Sequence, residues 1–241
     1  VLTEGQWVIN GSKTFISNSG SRITGPLVIA AVTGTRPDGR KELSNFIVPN
    51  NAPGFSNGKK LHKVGWRGSS TCELFFENCT IPADHLLGEV GSGLKQTLAQ
   101  VSTGRILIGI LGLGILQGSL ERSVKYMSER TAFGKQLNQF QSLQFKVADM
   151  ATNAHAARLM LYDAAVAKDE GRPNDLQASM AKLFATEKAM EAAHQAVQIH
   201  GGNGIMTEYP VSRAFGDAKV LEIVEGTSEI QRMIISRSVL R

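Results

Sequence analysis

The spacing of apolar residues changes once along this chain, near Gly88, and that single change limits the folds open to it. Before Gly88 the apolar runs are short, rich in β-branched and aromatic residues, and separated by turn clusters: Pro37-Asp38-Gly39, Asn50-Asn51-Ala52-Pro53-Gly54 and Asn57-Gly58. Trp7 to Ile16 reads as a hairpin turning at Asn10-Gly11, the pair favoured in type I′ turns. Leu27–Val32, Asn45–Val48 and Thr71–Phe76 read as further strands, and Pro82 to His85 closes the region. From Gly91 the period is helical. Helices are expected over about 92–129, 142–168, 176–199, 211–220 and 228–240, with Asn174 or Asp175 capping the third. The expected class is α+β: a small β-sandwich or barrel over 1–88, then an antiparallel four-helix-bundle domain over 89–241. The first long helix carries Gly104, Gly109, Gly112, Gly114 and Gly118, each lowering helix propensity by up to roughly 1 kcal/mol, which is tolerable where a neighbour or a flat ligand must come close.

Composition narrows the function classes. With 42% hydrophobic and 20% charged residues, the 241-residue chain can bury a real core and is not a disordered segment. The net charge of +5 is scattered, which points weakly to small anionic ligands and away from nucleic acid. Cys72 and Cys79 match no zinc or redox spacing and read as buried thiols in a reducing compartment. The five histidines, His62, His85, His155, His194 and His200, show no ligand pairing, so no metal site is expected. Val1 to Trp7 lacks the features of a signal peptide, and the run from Ile106 to Leu116 is shorter than the roughly 20 residues a membrane span needs.

One stretch invites a chemical reading, Lys219-Val-Leu-Glu-Ile-Val-Glu-Gly-Thr-Ser-Glu-Ile-Gln-Arg232. Glu225 follows an apolar run and precedes Gly226, which permits a turn, and Thr227 or Ser228, either of which can cap the next helix. A carboxylate desolvated by such neighbours suits a general base near neutral pH. The plain alternative is an exposed turn residue.

This stretch, together with Trp7–Asn18, Arg130-Thr-Ala-Phe-Gly-Lys-Gln-Leu-Asn-Gln-Phe140-Gln141 and Gln198-Ile-His-Gly-Gly-Asn-Gly204 continued by Thr207-Glu-Tyr-Pro210, resembles the acyl-CoA dehydrogenase flavoproteins. Order and spacing agree along essentially the whole chain. Family members carry an N-terminal helical domain and first β strands ahead of the point where this sequence starts, so it resembles their C-terminal part. The resemblance implies FAD as cofactor, an acyl-CoA thioester as substrate, an electron-transfer flavoprotein as electron acceptor, and a homodimer or homotetramer, as in fatty acid β-oxidation. It also implies a cytoplasmic protein in a bacterium or archaeon, or a mitochondrial matrix protein in a eukaryote.

By the same resemblance, Glu225 abstracts the α proton while hydride leaves the β carbon for the flavin, and its backbone N–H helps polarise the thioester carbonyl. Relatives that carry the base on the long helix have it at the position of Gly104, and glycine cannot serve. Arg130 matches a pyrophosphate ligand. Phe140 and Gln141 match positions near the adenosine. Gln198, Ile199, His200, Gly201 and Gly202 match a segment along the cofactor of a neighbouring subunit. Thr227, Ser228 and Glu229 touch FAD after the base, and Phe15, Ile16 and Ser17 lie beside the flavin. Ser102, Arg105 and Gly226 match the substrate cavity, although an Arg paired with a carboxylate is an equal reading of Arg105. Val224, where many relatives have Tyr, implies a wider cavity beside the base. Read without the family, Arg130 is a surface charge and Gly201 to Gly204 a helix cap. A same-fold acyl-CoA oxidase, a flavin monooxygenase and a non-catalytic assembly module remain as alternatives.

Overall fold

The computed structural model describes residues 1–240. It contains two compact units, Val1–Lys63 with Arg67–Gln100, and Val64–Trp66 with the chain from Val101 onward.

The first unit holds strands β1 (Leu2–Thr3), β2 (Gln6–Ser17), β3 (Leu27–Thr35), β4 (Lys41–Val48), β5 (Phe55–Asn57), β6 (Thr71–Pro82) and β7 (Leu86–Leu87). They form two antiparallel sheets, ordered β1-β2-β6-β5 and β3-β4-β7. Trp7, Ile9, Leu74, Phe76 and Ile81 from one sheet share a core with Ile29, Phe46 and Val48 from the other. This is the packing of a small sandwich. The ring of Trp7 meets that of Phe46 edge-on, with centroids 5.0 Å apart.

The hairpin expected at Asn10-Gly11 does not form. β2 runs straight through that pair, because β6 is long enough to pair with it on both sides. The register slips between Ile9 and Gly11, and Gly11 adopts φ +140°. The Asn10 side chain exchanges two hydrogen bonds with Asn78, donating Nδ2–H to Oδ1 and accepting from the backbone N–H. The extra residue of this bulge lies on β6, where Glu77 and Asn78 stand against Asn10 alone, so Asn-Gly faces a bulge and makes no turn. A second slip lies between Lys13 and Ile16, with Phe15 at φ +57°. Asn57, read as part of a turn, ends strand β5 on the edge of β6.

The second unit is built on α1 (Gly93–Glu129), whose first turns belong to the β unit. Asn45 holds those turns through Nδ2–H bonds to the Gly93 carbonyl at 3.2 Å and to Gln96 Oε1 at 2.8 Å. A hairpin of β8 (Thr131–Ala132) and β9 (Lys135–Gln136) leads into α2 (Gln141–Asp169), α3 (Asp175–His200), α4 (Pro210–Leu221) and α5 (Ser228–Val239). The buried face of α3 is a row of alanines, Ala178, Ala181, Ala185, Ala189, Ala192 and Ala196, with almost no exposed surface. Small residues let backbones approach. A Cβ on Gly109 would sit 2.6 Å from the Leu161 side chain, and one on Gly112 would sit 3.0 Å from the Ala185 carbonyl oxygen. These two glycines serve helix packing. By length and composition α1 would also pass for a membrane-crossing helix, a weak indication that buried bundle helices share. Leu107, Ile110 and Leu111 on it are about half exposed in this chain.

Neither Asn174 nor Asp175 caps α3 through its side chain. Both turn toward α1. Asn174 Oδ1 accepts from the Ser102 hydroxyl at 3.3 Å, and the Asp175 carboxylate pairs with Arg105 at 3.3 Å.

Candidate active site

The turn between α4 and α5 carries Glu225. Two successive residues are left-handed, Glu225 at φ +54° and Gly226 at φ +90°. For a glutamate this backbone is unfavourable, so its surroundings must hold it. Three groups do so. Ser228 N–H donates to the Glu222 carbonyl at 3.0 Å and closes the loop. The Lys182 ammonium donates to the Gly226 carbonyl at 2.9 Å, and Gln231 Nε2–H donates to the same oxygen at 2.8 Å. Lys182 and Gln231 are both fully buried. Thr227 caps α5 as expected, accepting the Ile230 N–H at 3.4 Å.

The Glu225 side chain lies against Gly104 of α1. A Cβ built on Gly104 would stand 2.5 Å from Glu225 Oε2. Thus the long-helix position that lacks a base is the floor on which this carboxylate rests. The Glu225 N–H meets no protein acceptor among the described residues. The desolvation expected from the apolar neighbours is not supplied by the described residues: Glu225 is exposed, as is Ile223 at 56%.

Arg105 follows Gly104 and is buried. It pairs with Asp175, the plainer of its two readings, while its Nε–H has no protein partner. Ser102 is half-buried and already bonded to Asn174. Gly104, Arg105, Ser102 and the Glu225–Gly226 turn thus lie within the helical unit.

A second cluster forms where α1 ends beside the end of α3. Tyr126, Arg130, Leu137, Ile199, His200, Gly201, Gly202 and Asn203 line one open groove. The His200 ring stacks on Tyr126 with centroids 4.1 Å apart, and its Nδ1 lies 2.8 Å from the Ala196 carbonyl. Burial pushes its pKa below the ordinary histidine value, against the pull of that carbonyl. Asn203 Nδ2–H donates to the Tyr126 hydroxyl at 3.0 Å. Arg130 is exposed on the rim and joins no ion pair among the described residues. The structure places Arg130 and the segment from Ile199 to Gly202 on one groove. Gln198 stands exposed just before it.

The remaining expected residues are spread out. Phe140 precedes α2 with the Lys135 ammonium 4.3 Å from its ring centroid, and Gln141 is exposed. Ser228 is buried, its hydroxyl without a protein partner. Glu229 is exposed, and its own N–H and the Thr227 hydroxyl hold its carboxyl below the usual range. Phe15 belongs to the β unit, 73% exposed at its bulge, while Ile16 packs on the β core and Ser17 pairs opposite Thr71. Sequence reasoning missed Lys182 and Gln231, and also Phe133, which is 96% exposed at the tip of the β8–β9 hairpin. A lysine inside an alanine-rich helical run was the available signal for Lys182.

The chain combines a two-layer β unit with a helical unit that presents a carboxylate on an anchored left-handed turn. Residues 1–79 match the family of the acyl-CoA dehydrogenase middle domain, and residues 91–240 match that of the acyl-CoA dehydrogenase C-terminal domain. The chain belongs to the acyl-CoA dehydrogenase family.

It is 46% identical over 235 residues to the mitochondrial short-chain specific acyl-CoA dehydrogenase of Mus musculus, covering 98% of this chain and 56% of that protein. Butyryl-CoA dehydrogenase from Megasphaera elsdenii superimposes with a TM-score of 0.94 at 40% identity, covering 99% of this chain and 62% of that one. A chain from the structure of the electron transferring flavoprotein of Acidaminococcus fermentans gives a TM-score of 0.94 at 42% identity, covering 100% of this chain and 62% of that one. The chain thus spans 56–62% of the length of the curated relatives it matches first.

Proposed function

We propose that this chain supplies the catalytic base and part of the flavin site of an FAD-dependent acyl-CoA dehydrogenase, with a β domain and a helical domain meeting near Gly88. The observation that carries the reading is the Glu225 turn. Its carboxylate is exposed for contact with a ligand, its backbone N–H is unbonded, and its strained conformation is held by two buried donors on the next carbonyl. Strain maintained in this way is characteristic of functional positions.

The residues present fit FAD. Arg130 offers a guanidinium, unpaired among the described residues, on a groove suited to a pyrophosphate, and the groove runs along the exposed Gly201-Gly202 end of α3. Arg130 and Gln198 to Gly202, at the end of α3, would hold the cofactor of a neighbouring subunit, while the residues after the base would hold this chain's own, with Phe15 presenting an aromatic face beside the ring. When bound, the flavin accepts the hydride that leaves the β carbon. The chain's own groups do the rest. The Glu225 carboxylate removes the α proton, and its N–H can donate to the thioester carbonyl, where negative charge develops. Gly104 keeps the floor beneath the carboxylate clear.

Relatives named for short-chain and butyryl substrates support a short acyl-CoA as the substrate class. The Acidaminococcus flavoprotein match supports an electron-transfer flavoprotein as acceptor. Exposed apolar side chains on α1 support assembly into a homo-oligomer.

The test uses the natural polypeptide that carries this chain, purified with its flavin. Adding acyl-CoA thioesters of graded length should bleach the flavin absorbance. Glu225→Gln should retain flavin and lose about 10²–10⁴-fold in the bleaching rate. Absorbance that stays constant across the whole series would overturn the assignment.

A further inference from the structure

Lys182 has no place in the chemistry described so far, yet its setting is unusual. It sits on the buried face of α3 with no exposed surface, next to Ala181 and one turn before Ala185 and Thr186. α1 passes directly over its backbone, since a Cβ on Gly109 would lie 3.5 Å from the Lys182 Cα. Its ammonium forms no ion pair among the described residues. Instead it donates to one backbone carbonyl, that of Gly226, at 2.9 Å. A buried ammonium answered only by a neutral oxygen is a poor way to stabilise a fold. A well-packed apolar side chain of the same length would serve the bundle better.

That carbonyl matters because of what precedes it. Gly226 follows Glu225, and Gln231 donates to both of their carbonyls, at 3.3 Å and 2.8 Å. Two buried side chains from two helices, α3 and α5, therefore converge on a single turn. Neither touches the carboxylate itself. Both fix the plane of the Gly226–Thr227 peptide, and Gln231 also holds the Glu225–Gly226 peptide before it, so together they limit how the turn that carries Glu225 can rotate.

We propose that Lys182 is a positioning residue for the reaction: its ammonium, with Gln231, holds the Gly226 carbonyl and so locks the Glu225 turn in its working conformation. The proposal rests on the reading of Glu225 as the base. Burial pushes the Lys182 ammonium down to about 8, against the raising pull of Glu222, Glu187, Glu225 and Glu229. The fold thus keeps a charge here that it disfavours.

The decisive variant is Lys182→Met in the flavin-loaded natural polypeptide. Methionine keeps the length and apolar stem of lysine and removes the donor. Exchange of the Ser228 amide, which closes the loop on the Glu222 carbonyl, should accelerate while the centres of α2 and α3 stay protected. The flavin reduction rate should fall roughly 10–100-fold, the scale of a misplacement near 1 Å, with KM for acyl-CoA little changed. Thermal stability should hold or rise. Gln231→Leu removes the other donor and should shift the same amide in the same direction. Unchanged exchange in the turn, or fast exchange with an unchanged reduction rate, overturns the proposal. Variants that unfold as a whole, with no exchange change specific to the turn, assign Lys182 to stability and overturn it too. Glu225→Gln separates the two readings: if that variant reduces flavin normally, the base assignment fails, whereas the exchange experiment still reports whether Lys182 anchors the turn.

Discussion

Gly104→Ala separates what helps the helix from what helps the reaction. Gly104 lies inside α1, where glycine is about 1 kcal/mol less favourable than alanine. The added methyl would meet Glu225 Oε2 at 2.5 Å and Cδ at 2.9 Å. Those atoms end a flexible side chain, so the clash is relieved by moving the carboxylate about 1 Å, out to ordinary contact distance. Helix propensity then stands largely uncancelled, and the variant should gain up to about 1 kcal/mol of stability. The same 1 Å falls on the carboxylate proposed to take the α proton. A misplacement of that size can cost about 10²-fold in rate, or about 2.7 kcal/mol in the barrier. Urea denaturation gives the first quantity and stopped-flow flavin reduction by acyl-CoA the second, both on the natural polypeptide. A variant that is markedly destabilised would show that the Glu225 backbone, rather than its side chain, is what Gly104 accommodates. A variant of full activity would show that the pose of Glu225 over Gly104 is irrelevant to turnover.

Two further outcomes follow from buried features of the helical unit. Lys182 titrates near 8 in the fold and near 10.5 when exposed. Between those values the unfolded chain binds the extra proton, so stability should rise with pH, by up to about 3 kcal/mol over the full interval. Denaturant midpoints at pH 7, 9 and 10 should show the rise, and Lys182→Met should lose that component; identical pH profiles would refute it. Gly65→Ala tests a close approach: its Cβ would strike the Gly216 carbonyl and stand 2.8 Å from the Asp217 Cα, beside the 2.6 Å bond from Trp66 N–H to Asp217. No flexible side chain can yield there, so a loss of about 1–3 kcal/mol is expected, and an unshifted midpoint would refute the packing argument.

The helices were legible because each signals its ends in composition. Gly171-Arg-Pro173 separates α2 from α3, and Gly201-Gly202 ends α3, where Gly201 takes φ +58°. The β unit was less legible. Asn10-Gly11 satisfies a turn locally, and only the twelve-residue strand β6, distant in sequence but hydrogen-bonded along β2, carries the chain straight through it. Similarly, Asn174 and Asp175 are good caps locally, but Ser102 and Arg105, some seventy residues earlier, compete for their oxygens. In each case a long-range hydrogen bond displaced the local one.

The candidate site divides along the same line. Glu225 was visible because its neighbours in sequence shape its turn. Its support from Lys182 was not, because Lys182 stands 44 residues before Gly226 in a run whose other members are plain core residues. The exposure of Glu225 sharpens this contrast. An apolar run placed before a carboxylate predicts desolvation only if the run folds over it, and here Ile223 faces outward with the turn. What this chain provides is orientation: a left-handed turn, a clear floor at Gly104 and two buried donors on one carbonyl. Exclusion of water from the carboxylate must then come from whatever covers the turn. On that argument the proposed base would acquire its working environment only when the proposed substrate and cofactor are in place, while the helices beneath it orient the turn beforehand.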